Sequence, residues 1–376
     1  MIDFNRPYLT GKETKYIEDA VKSGKISGNG IFTKKCQHFF EEHYGFRKCL
    51  LTTSCTDALE MAAILCDIAA GDEVIIPSYT FVSTALAFIR LGAVIRFADS
   101  YASNPNIDAD SIESLINDRT KCIVVVHYAG MACDMDKIMQ LAGKYNLFVV
   151  EDAAQAVDSF YKGNRALGSI GHLAAFSFHE TKNIIAGEGG MLVINDERFI
   201  RRSEIIWEKG TNRAEFFRGE VNKYGWVDTG SSFLPSEIIA AFLWAQLENL
   251  DAIQTVRKDI WKRYYTGLID LADKGWFTLA RVPAYASNNG HMFYLVCNSL
   301  VERTRLINHL KSNGILAVFH YLSLHKSDFY RDKHDGRELP NADYFTDCLI
   351  RLPLFYELDT DKIDYIIDKI RSFYAE

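Results

Sequence analysis

Five short apolar runs, separated by helical patterns, constrain the fold of this chain more than any other feature. The runs are rich in β-branched residues and lack the polar alternation of a half-exposed strand, so both faces of each strand should be covered. Helical patterns lie between several of them, for example at residues 136–145. Strand, helix and strand in succession predict an α/β fold with a mostly parallel sheet and helices on both sides. The runs are residues 73–77, 94–97, 122–127, 147–150 and 191–195.

The pattern changes after about residue 250, where long amphipathic helices and short strands follow. This change predicts a large α/β domain at residues 1–250 and a smaller C-terminal α+β domain at residues 251–376, with the boundary inside a helix. A chain of 376 residues is long enough for two such domains. The predicted helices of the second domain are residues 251–271, 304–313 and 361–373, and its predicted strands are residues 291–296 and 317–321.

The composition excludes several classes of protein. Hydrophobic residues make up 48% of the chain, which suffices for a sizeable core, and the net charge of −7 argues against a basic surface that binds nucleic acid. The N-terminus lacks the pattern of a signal peptide, and no stretch approaches the ~18 uncharged apolar residues of a membrane helix. The 8 cysteines form no C-x-x-C pair or zinc-like array. We therefore expect a soluble cytoplasmic protein with reduced thiols, no metal site, and neither nucleic acid nor membrane as a partner.

Small hydroxyl residues precede a strong helical pattern in the segment from Thr52 to Leu59. A Ser or Thr there can cap the helix and leave free N–H groups at its N-terminus. Such a helix end can bind a phosphate through its amides and its dipole. The alternative is a plain capped helix, in which Asp57 and Glu60 only complement the dipole. Taken alone, the segment favours that alternative, because caps of this type are common.

Two further positions point to a ligand site. Asp152 lies at the carboxyl end of an apolar run, the edge at which open α/β sheets bind ligands. A carboxylate there can keep a ring nitrogen protonated, since the ion pair favours both charges, although it could instead cap the next helix. Lys182 lies between a strand-like run and a glycine-rich turn at residues 187–190. Glycines there permit close approach of the backbone to a ligand. The alternative interpretation of Lys182 is an ordinary solvated surface lysine.

Together, these three features fit one cofactor, pyridoxal phosphate. It needs a lysine amine for a Schiff base, an acid opposite its ring nitrogen, and a cradle for its phosphate. The protonated ring draws electrons from the Cα–H bond of the substrate, and the freed lysine amine can then move that proton. That proton shift is the core of transamination.

The joined motifs resemble the sugar aminotransferases of the DegT/DnrJ/EryC1/StrS family, over essentially the whole chain. The motifs are G-D-E-V-I-I-P-S-Y-T-F at residues 71–81, E-D-A-A-Q at 151–155, F-S-F-H-E-T-K at 176–182 with G-E-G-G at 187–190, and H-Y-L-S-L-H at 320–325.

The resemblance implies an aspartate-aminotransferase type fold (fold type I), with a large domain around a central sheet and a smaller C-terminal domain. It also implies a homodimer with active sites at the subunit interface. The implied reaction moves an amino group from glutamate to C4 of a dTDP-4-keto-6-deoxyhexose, so a nucleotide-linked keto-sugar and glutamate are the expected partners.

The sequence bears on three alternatives to a C4 aminotransferase. A C3 aminotransferase stays open, because the same cofactor geometry serves either carbon. A sugar dehydratase of the same family would carry a His at this position, so the presence of Lys182 disfavours a dehydratase. A regulator or scaffold would need neither Asp152 nor Lys182.

Carried over by position, the resemblance implies that Lys182 forms the Schiff base and that Asp152 faces the pyridine nitrogen. It places Gln155 near the ring hydroxyl and Phe81 where an aromatic stacks on the ring, with an ordinary core aromatic as the alternative. The phosphate-binding residues that it implies are Ser54, Cys55, Thr56 and Ser177.

The polar segment 209–213, with Arg218 and Lys223 beyond it, is the best candidate for binding the substrate's diphosphate. A net-acidic protein must bind it through a local basic cluster, and such loops often carry binding groups. We expect Arg213 or Arg218 to contribute most, because Arg makes bidentate contacts to phosphate. A solvated surface loop is the alternative. His320 and Tyr321 are further candidates for substrate binding.

The chain departs from the family at one position. Many relatives carry an Asn just before a helix that reaches the phosphate in the partner subunit, and Leu234 stands there in this chain. Either Ser231 or Ser232 replaces that Asn, or the contact across the subunit interface is absent.

Overall fold

The computed structural model describes residues 1–375. The strands are β1 (Lys48–Thr52), β2 (Glu73–Pro77), β3 (Val94–Ala98), β4 (Ser100–Tyr101), β5 (Asn104–Ile107), β6 (Thr120–Val126), β7 (Phe148–Asp152), β8 (Phe160–Tyr161), β9 (Arg165–Ala166), β10 (Leu173–Ser177), β11 (Gly190–Ile194), β12 (Phe277–Leu279), β13 (Phe293–Cys297) and β14 (Leu349–Leu352). The helices are α1 (Glu13–Lys22), α2 (Ile31–Tyr44), α3 (Cys55–Leu65), α4 (Ser83–Ile89), α5 (Ala109–Ile112), α6 (Met135–Tyr145), α7 (Ile200–Trp207), α8 (Arg213–Phe217), α9 (Glu237–Leu247), α10 (Leu250–Asp273), α11 (Leu300–Ser312), α12 (Pro340–Cys348) and α13 (Thr360–Ala375). Within this part of the chain, no helix combines the length and apolar character needed to cross a membrane.

The larger sheet has the strand order β1-β11-β10-β7-β6-β2-β3. Strand β11 runs antiparallel to both of its neighbours, and the other adjacent pairs are parallel. The predicted α/β fold with a mostly parallel sheet is therefore confirmed. The five apolar runs correspond to β2, β3, β6, β7 and β11. The sequence pattern does not predict β1, which has no β-branched residue before Thr52.

The two faces of this sheet pack against two different hydrophobic cores. Val74, Ile76 and Val124 belong to one core, whereas their neighbours Ile75 and Ile123 belong to the other. Successive side chains of a strand point to opposite faces, so a strand between two cores must be apolar at every position. This explains why the runs lack polar alternation.

The C-terminal part contains an antiparallel sheet with the order β12-β13-β14. With α10, α11 and α13 it encloses a third core that includes Tyr264, Phe293, Leu310 and Ile366. Tyr294, which follows Phe293 on β13, belongs instead to a core of the larger sheet. The two parts thus share a packed boundary, and their division into two domains stays a prediction.

Two details of the predicted C-terminal part are wrong. Residues 317–321 do not form a strand, and in this segment a single bridge joins Val318 to Arg351. In this segment, Ala317 packs in the third core, Phe319 is exposed, and His320 and Tyr321 line the cavity described below. The position near residue 250 lies between α9 and α10 rather than inside a helix, because Asn249 leaves helical geometry at φ −116° and ψ 15°. Its side chain instead donates a hydrogen bond of 2.9 Å to the Ala245 carbonyl.

Candidate active site

A cavity of about 770 Å³ opens at the carboxyl edge of the larger sheet. Strands β6, β7 and β10 run parallel and end at Val126, Asp152 and Ser177, so their ends meet at one wall. The N-terminus of α3 forms another wall, and β14 forms a third. The sequence-predicted residues that line the cavity are Ser54, Cys55, Thr56, Phe81, Asp152, Gln155, Ser177, Lys182, His320 and Tyr321.

Asp152 is the last residue of β7 and is 6% exposed. One of its carboxylate oxygens accepts a hydrogen bond of 2.7 Å from the Thr84 hydroxyl, and the other accepts one of 3.2 Å from the Ala154 amide. Burial raises the pKa of Asp152, while the Thr84 bond and the charge of Lys182 act in the opposite direction. A cation placed in the cavity would therefore stabilise a carboxylate that burial disfavours.

Lys182 lies in the connection between β10 and β11. Bonds from Ala186 N–H to the Phe178 carbonyl (2.7 Å) and from Lys182 N–H to the His179 carbonyl (2.9 Å) fix this connection. Among residues 1–375, the influences that act on the Lys182 amine are burial and nearby charges, including that of Asp152, and none of them is a hydrogen bond. Burial lowers the pKa of Lys182, which favours the neutral, nucleophilic form of the amine.

The N-terminus of α3 provides an anion-binding end. Ser54 is its N-cap and accepts a hydrogen bond of 3.1 Å from the Asp57 amide. The Thr56 hydroxyl donates one of 2.8 Å to Ser83, at the N-terminus of α4. The amides of Cys55 and Thr56, the first two residues of the helix, have no partner inside the helix, and both residues line the cavity together with Ser177. Amides, dipole and hydroxyls together suit a phosphate.

The first residue of β11, Gly190, packs directly on this helix end. A side chain at Gly190 would clash with the backbone of Ser54 and Cys55. We expect Gly190→Ala to displace the start of α3, to weaken cofactor binding and to destabilise the protein by about 1–3 kcal/mol, as overpacking does. Cofactor titration and thermal unfolding measure the two effects.

Gly143→Ala is the matched control for this prediction. Gly143 lies inside α6 with open space around its Cβ position, so alanine there should leave cofactor affinity unchanged. Equal cofactor affinities of the Gly190→Ala variant and the native protein would show that the close contact does not shape the site.

Gln155, Tyr321 and His320 form a further polar part of the cavity wall. The Gln155 amide donates a hydrogen bond of 2.9 Å to the Tyr321 hydroxyl, and its oxygen accepts one of 2.6 Å from the Ala129 amide. The rings of His320 and Tyr321 stack with centroids 3.5 Å apart. Phe81 is 56% exposed beside them, so it is not a core aromatic and offers its ring to the cavity.

The other predicted substrate residues do not line this cavity within one chain. Arg213 and Arg218 lie at the two ends of the short helix α8. Arg218 pairs with Glu204 at 2.8 Å and with Glu220 at 2.7 Å, and Arg213 lies 3.8 Å from Glu208. Leu234 packs against a hydrophobic core, and both Ser231 and Ser232 are exposed outside the cavity.

Three residues of the site are not indicated by the sequence reasoning. Arg351 lines the cavity from β14, where it interrupts an otherwise apolar run, a signal that could have identified it. His291 also lines the cavity, with Nδ1 2.8 Å from the Asn183 amide oxygen. Thr84 carries no such signal, because the fold alone brings it to Asp152 across 68 positions of sequence.

The arrangement fits pyridoxal phosphate. An amine, a buried carboxylate that a cationic ring nitrogen would stabilise, and an anion-binding helix end surround one cavity. The amine suits a covalent bond to an aldehyde, and the helix end suits the phosphate. The exposed ring of Phe81 adds a surface on which an aromatic ring can stack.

The comparisons with known proteins agree on one family. The model of the DegT/DnrJ/EryC1/StrS aminotransferase family matches residues 7–371. The chain is 32% identical to the GDP-perosamine synthase of Escherichia coli O157:H7 over 375 residues, and the alignment covers 99% of this chain and 98% of that protein. It is also 32% identical over 383 residues to the spore coat polysaccharide biosynthesis protein SpsC of Bacillus subtilis, covering 99% and 96%. The Streptococcus pneumoniae sugar aminotransferase Spr1654, solved in a PMP form and in a PLP form, superposes in the PMP form with a TM-score of 0.91 at 27% identity, covering 100% and 99% of the two chains.

Proposed function

Because the chain belongs to the DegT/DnrJ/EryC1/StrS aminotransferase family and is a pyridoxal-phosphate-dependent sugar aminotransferase, we propose that it aminates C4 of a dTDP-4-keto-6-deoxyhexose with glutamate as the donor. The product is then a dTDP-4-amino-4,6-dideoxyhexose, with the galactose configuration favoured. The observation that carries the proposal is that the amine of Lys182 and the buried carboxylate of Asp152 face one cavity.

Several segments support the choice of C4 and of this sugar. They resemble the transaminases that make dTDP-4-amino-4,6-dideoxygalactose for enterobacterial common antigen. The similarity to a GDP-perosamine synthase also supports a nucleotide-linked sugar as the substrate. The resembling segments are residues 23–25, 51–56, 127–130, 208–213 and 216–219.

In this proposal, Lys182, Asp152 and the N-terminus of α3 have different tasks. Bound pyridoxal phosphate supplies an electron sink that makes the proton on the nitrogen-bearing carbon labile. Lys182 would hold the cofactor covalently through its amine, and the same amine, when free, would take up and return that proton at Nζ. Burial favours the neutral amine that this transfer needs. Asp152, oriented by Thr84, keeps the ring nitrogen protonated, while Ser54 and the α3 amides bind the phosphate.

A substrate panel tests the proposed reaction. Purified holoenzyme is incubated with glutamate and with dTDP- or UDP-linked 3-keto or 4-keto sugars, and 2-oxoglutarate formation is followed. We expect the dTDP-linked 4-keto-6-deoxy sugar to give the highest kcat/KM. Faster turnover of a 3-keto sugar would contradict the choice of carbon, and no turnover of any sugar would contradict the proposed substrate class.

We also propose that the working unit is a homodimer in which Arg213 and Arg218 reach the cavity of the partner subunit. The segment around α8 exposes several large hydrophobic side chains, including Phe217 at 69%, Trp226 at 84% and Val227 at 55%. Exposed apolar clusters of this kind mark interaction surfaces, and symmetric dimers are the commonest soluble homo-oligomers.

Mixed dimers test this proposal. One chain carries Lys182→Ala, and the other carries Arg213→Ala with Arg218→Ala. If the arginines act across the interface, the chain that keeps Lys182 receives intact arginines from its partner, and one site of the mixed dimer is active. Dimers of the double arginine variant alone should bind sugar nucleotide more weakly, by about 1.5–3 kcal/mol per lost charge-assisted bond. Inactive mixed dimers, or a fully active monomer in sedimentation, would contradict the proposal.

A further inference from the structure

Arg351 is a cation in the cavity without an anionic partner. It lies on β14, and its guanidinium sits 4.7 Å above the ring of Phe4. Its Nε is buried and has no hydrogen-bond partner, and one terminal nitrogen makes a long contact of 3.4 Å with the Phe319 carbonyl. A buried N–H group without a hydrogen-bond partner is costly, so a ligand that accepts a hydrogen bond from it would be bound more tightly.

No carboxylate within residues 1–375 lies at ion-pair distance from Arg351, although many surface arginines of this chain have one, such as Arg263 beside Asp364. Burial lowers the pKa of Arg351, and the neighbours that act on it most strongly are three tyrosines, which are neutral. Arg351 is half-buried, and a charge held partly out of water without an ionic partner is costly, so groups of this kind cluster at functional sites.

The position of Arg351 is fixed by backbone pairing on both sides. Its N–H and C=O bond to Val318 at 2.8 and 3.1 Å, and β14 pairs it with Tyr294 of β13. A guanidinium that is carried by a paired strand is more precisely placed than one on a loop, which suits a residue that orients a ligand.

We propose that Arg351 binds a carboxylate of the amino donor, an inference that rests on the proposed function. Lys182 and Arg351 are the Lys and Arg side chains that line the cavity, and Lys182 is occupied by the cofactor. The phosphate of the cofactor has its own site at the N-terminus of α3. The planar guanidinium matches a carboxylate in a bidentate geometry, and glutamate brings carboxylates, whereas the sugar ring brings none.

The two half-reactions separate donor binding from sugar binding. Arg351→Gln and Arg351→Lys are compared with Arg303→Gln, which lies outside the cavity but likewise has an unpaired buried Nε and a single carbonyl contact. We expect kcat/KM for the glutamate half-reaction of Arg351→Gln to fall about ten- to hundred-fold, mainly through KM. The half-reaction with the amino-sugar, which has no carboxylate, should change little. Arg351→Lys should recover part of the loss, and Arg303→Gln should match the native enzyme.

Equilibrium binding gives a second readout that needs no turnover. Calorimetric titration of the holoenzyme with glutarate, a dicarboxylate without an amine, should show about ten- to hundred-fold weaker binding for Arg351→Gln than for Arg303→Gln. Native glutarate affinity in both Arg351 variants would overturn the proposal, as would a loss confined to the amino-sugar half-reaction. If the native enzyme aminates no nucleotide-linked sugar, the proposed substrate fails, whereas the glutamate and glutarate measurements still decide the role of Arg351.

Discussion

Replacing Lys182 with alanine is expected to abolish turnover, with a loss of at least about 10⁴-fold, because one side chain supplies both the covalent anchor and the proton carrier. The structure leaves no obvious substitute. In the part of the chain that the structure describes, Lys182 is the one lysine that lines the cavity. The native protein should be yellow, and borohydride should fix the cofactor on Lys182. The variant should bind the cofactor without a covalent bond, so the colour should be lost on dialysis.

Lys311→Ala is the control for this prediction, because Lys311 is exposed on α11 and is not among the residues that line the cavity. It should keep the native rate, and peptide mapping should find the borohydride-fixed group on Lys182 in this variant as in the native protein. A Lys182→Ala enzyme that turns over at the native rate would show that another residue carries both tasks.

Replacing Asp152 with asparagine should lower the rate of both half-reactions by about 10²–10³-fold, in the range seen when one electrostatic stabiliser is removed. Asparagine has nearly the same shape but no charge, so it cannot hold the ring nitrogen in its protonated form. The amide can keep the 2.7 Å contact with Thr84 through its oxygen, so the fold should persist. The covalent bond at Lys182 should also persist, because it does not need the carboxylate.

Asp332→Asn provides the matched control, since Asp332 is an exposed carboxylate outside the cavity. Its rates should equal those of the native enzyme. Stopped-flow absorbance measures both half-reactions in each variant. Near-native rates in the Asp152→Asn enzyme would show that this carboxylate does not support the electron sink. If the variant lost cofactor binding together with its rate, the carboxylate would have a structural role instead.

Much of the larger sheet can be predicted from the sequence because its strands lie between two cores and must be apolar at every position. The positions of Asp152 and Lys182 in the cavity can also be predicted, since Asp152 ends β7 and Lys182 lies in the connection that leaves the carboxyl end of β10. The apolar residues at 317–319 suggest a strand, but the segment makes a single bridge at Val318 and only Ala317 packs in a core. A short apolar run does not by itself distinguish a paired strand from an irregular segment.

Contacts between distant segments are beyond such reasoning. Thr84 supports Asp152 and Asn183 supports His291 only after the fold has brought them together. Local pattern also cannot place Arg213 and Arg218, which do not line the cavity of their own chain. Their proposed role depends on a second copy, and single-chain sequence patterns carry no signal for that geometry.

We propose that this enzyme moves nitrogen from glutamate to C4 of a nucleotide-linked keto-sugar. The most direct test is to supply glutamate labelled with a heavy nitrogen isotope together with the dTDP-linked 4-keto-6-deoxy sugar, and to record mass and NMR spectra of the product. We predict one labelled nitrogen, coupled to the proton at C4, with the galactose configuration at that carbon. Label at C3, or a sugar product that carries no label, would contradict the account.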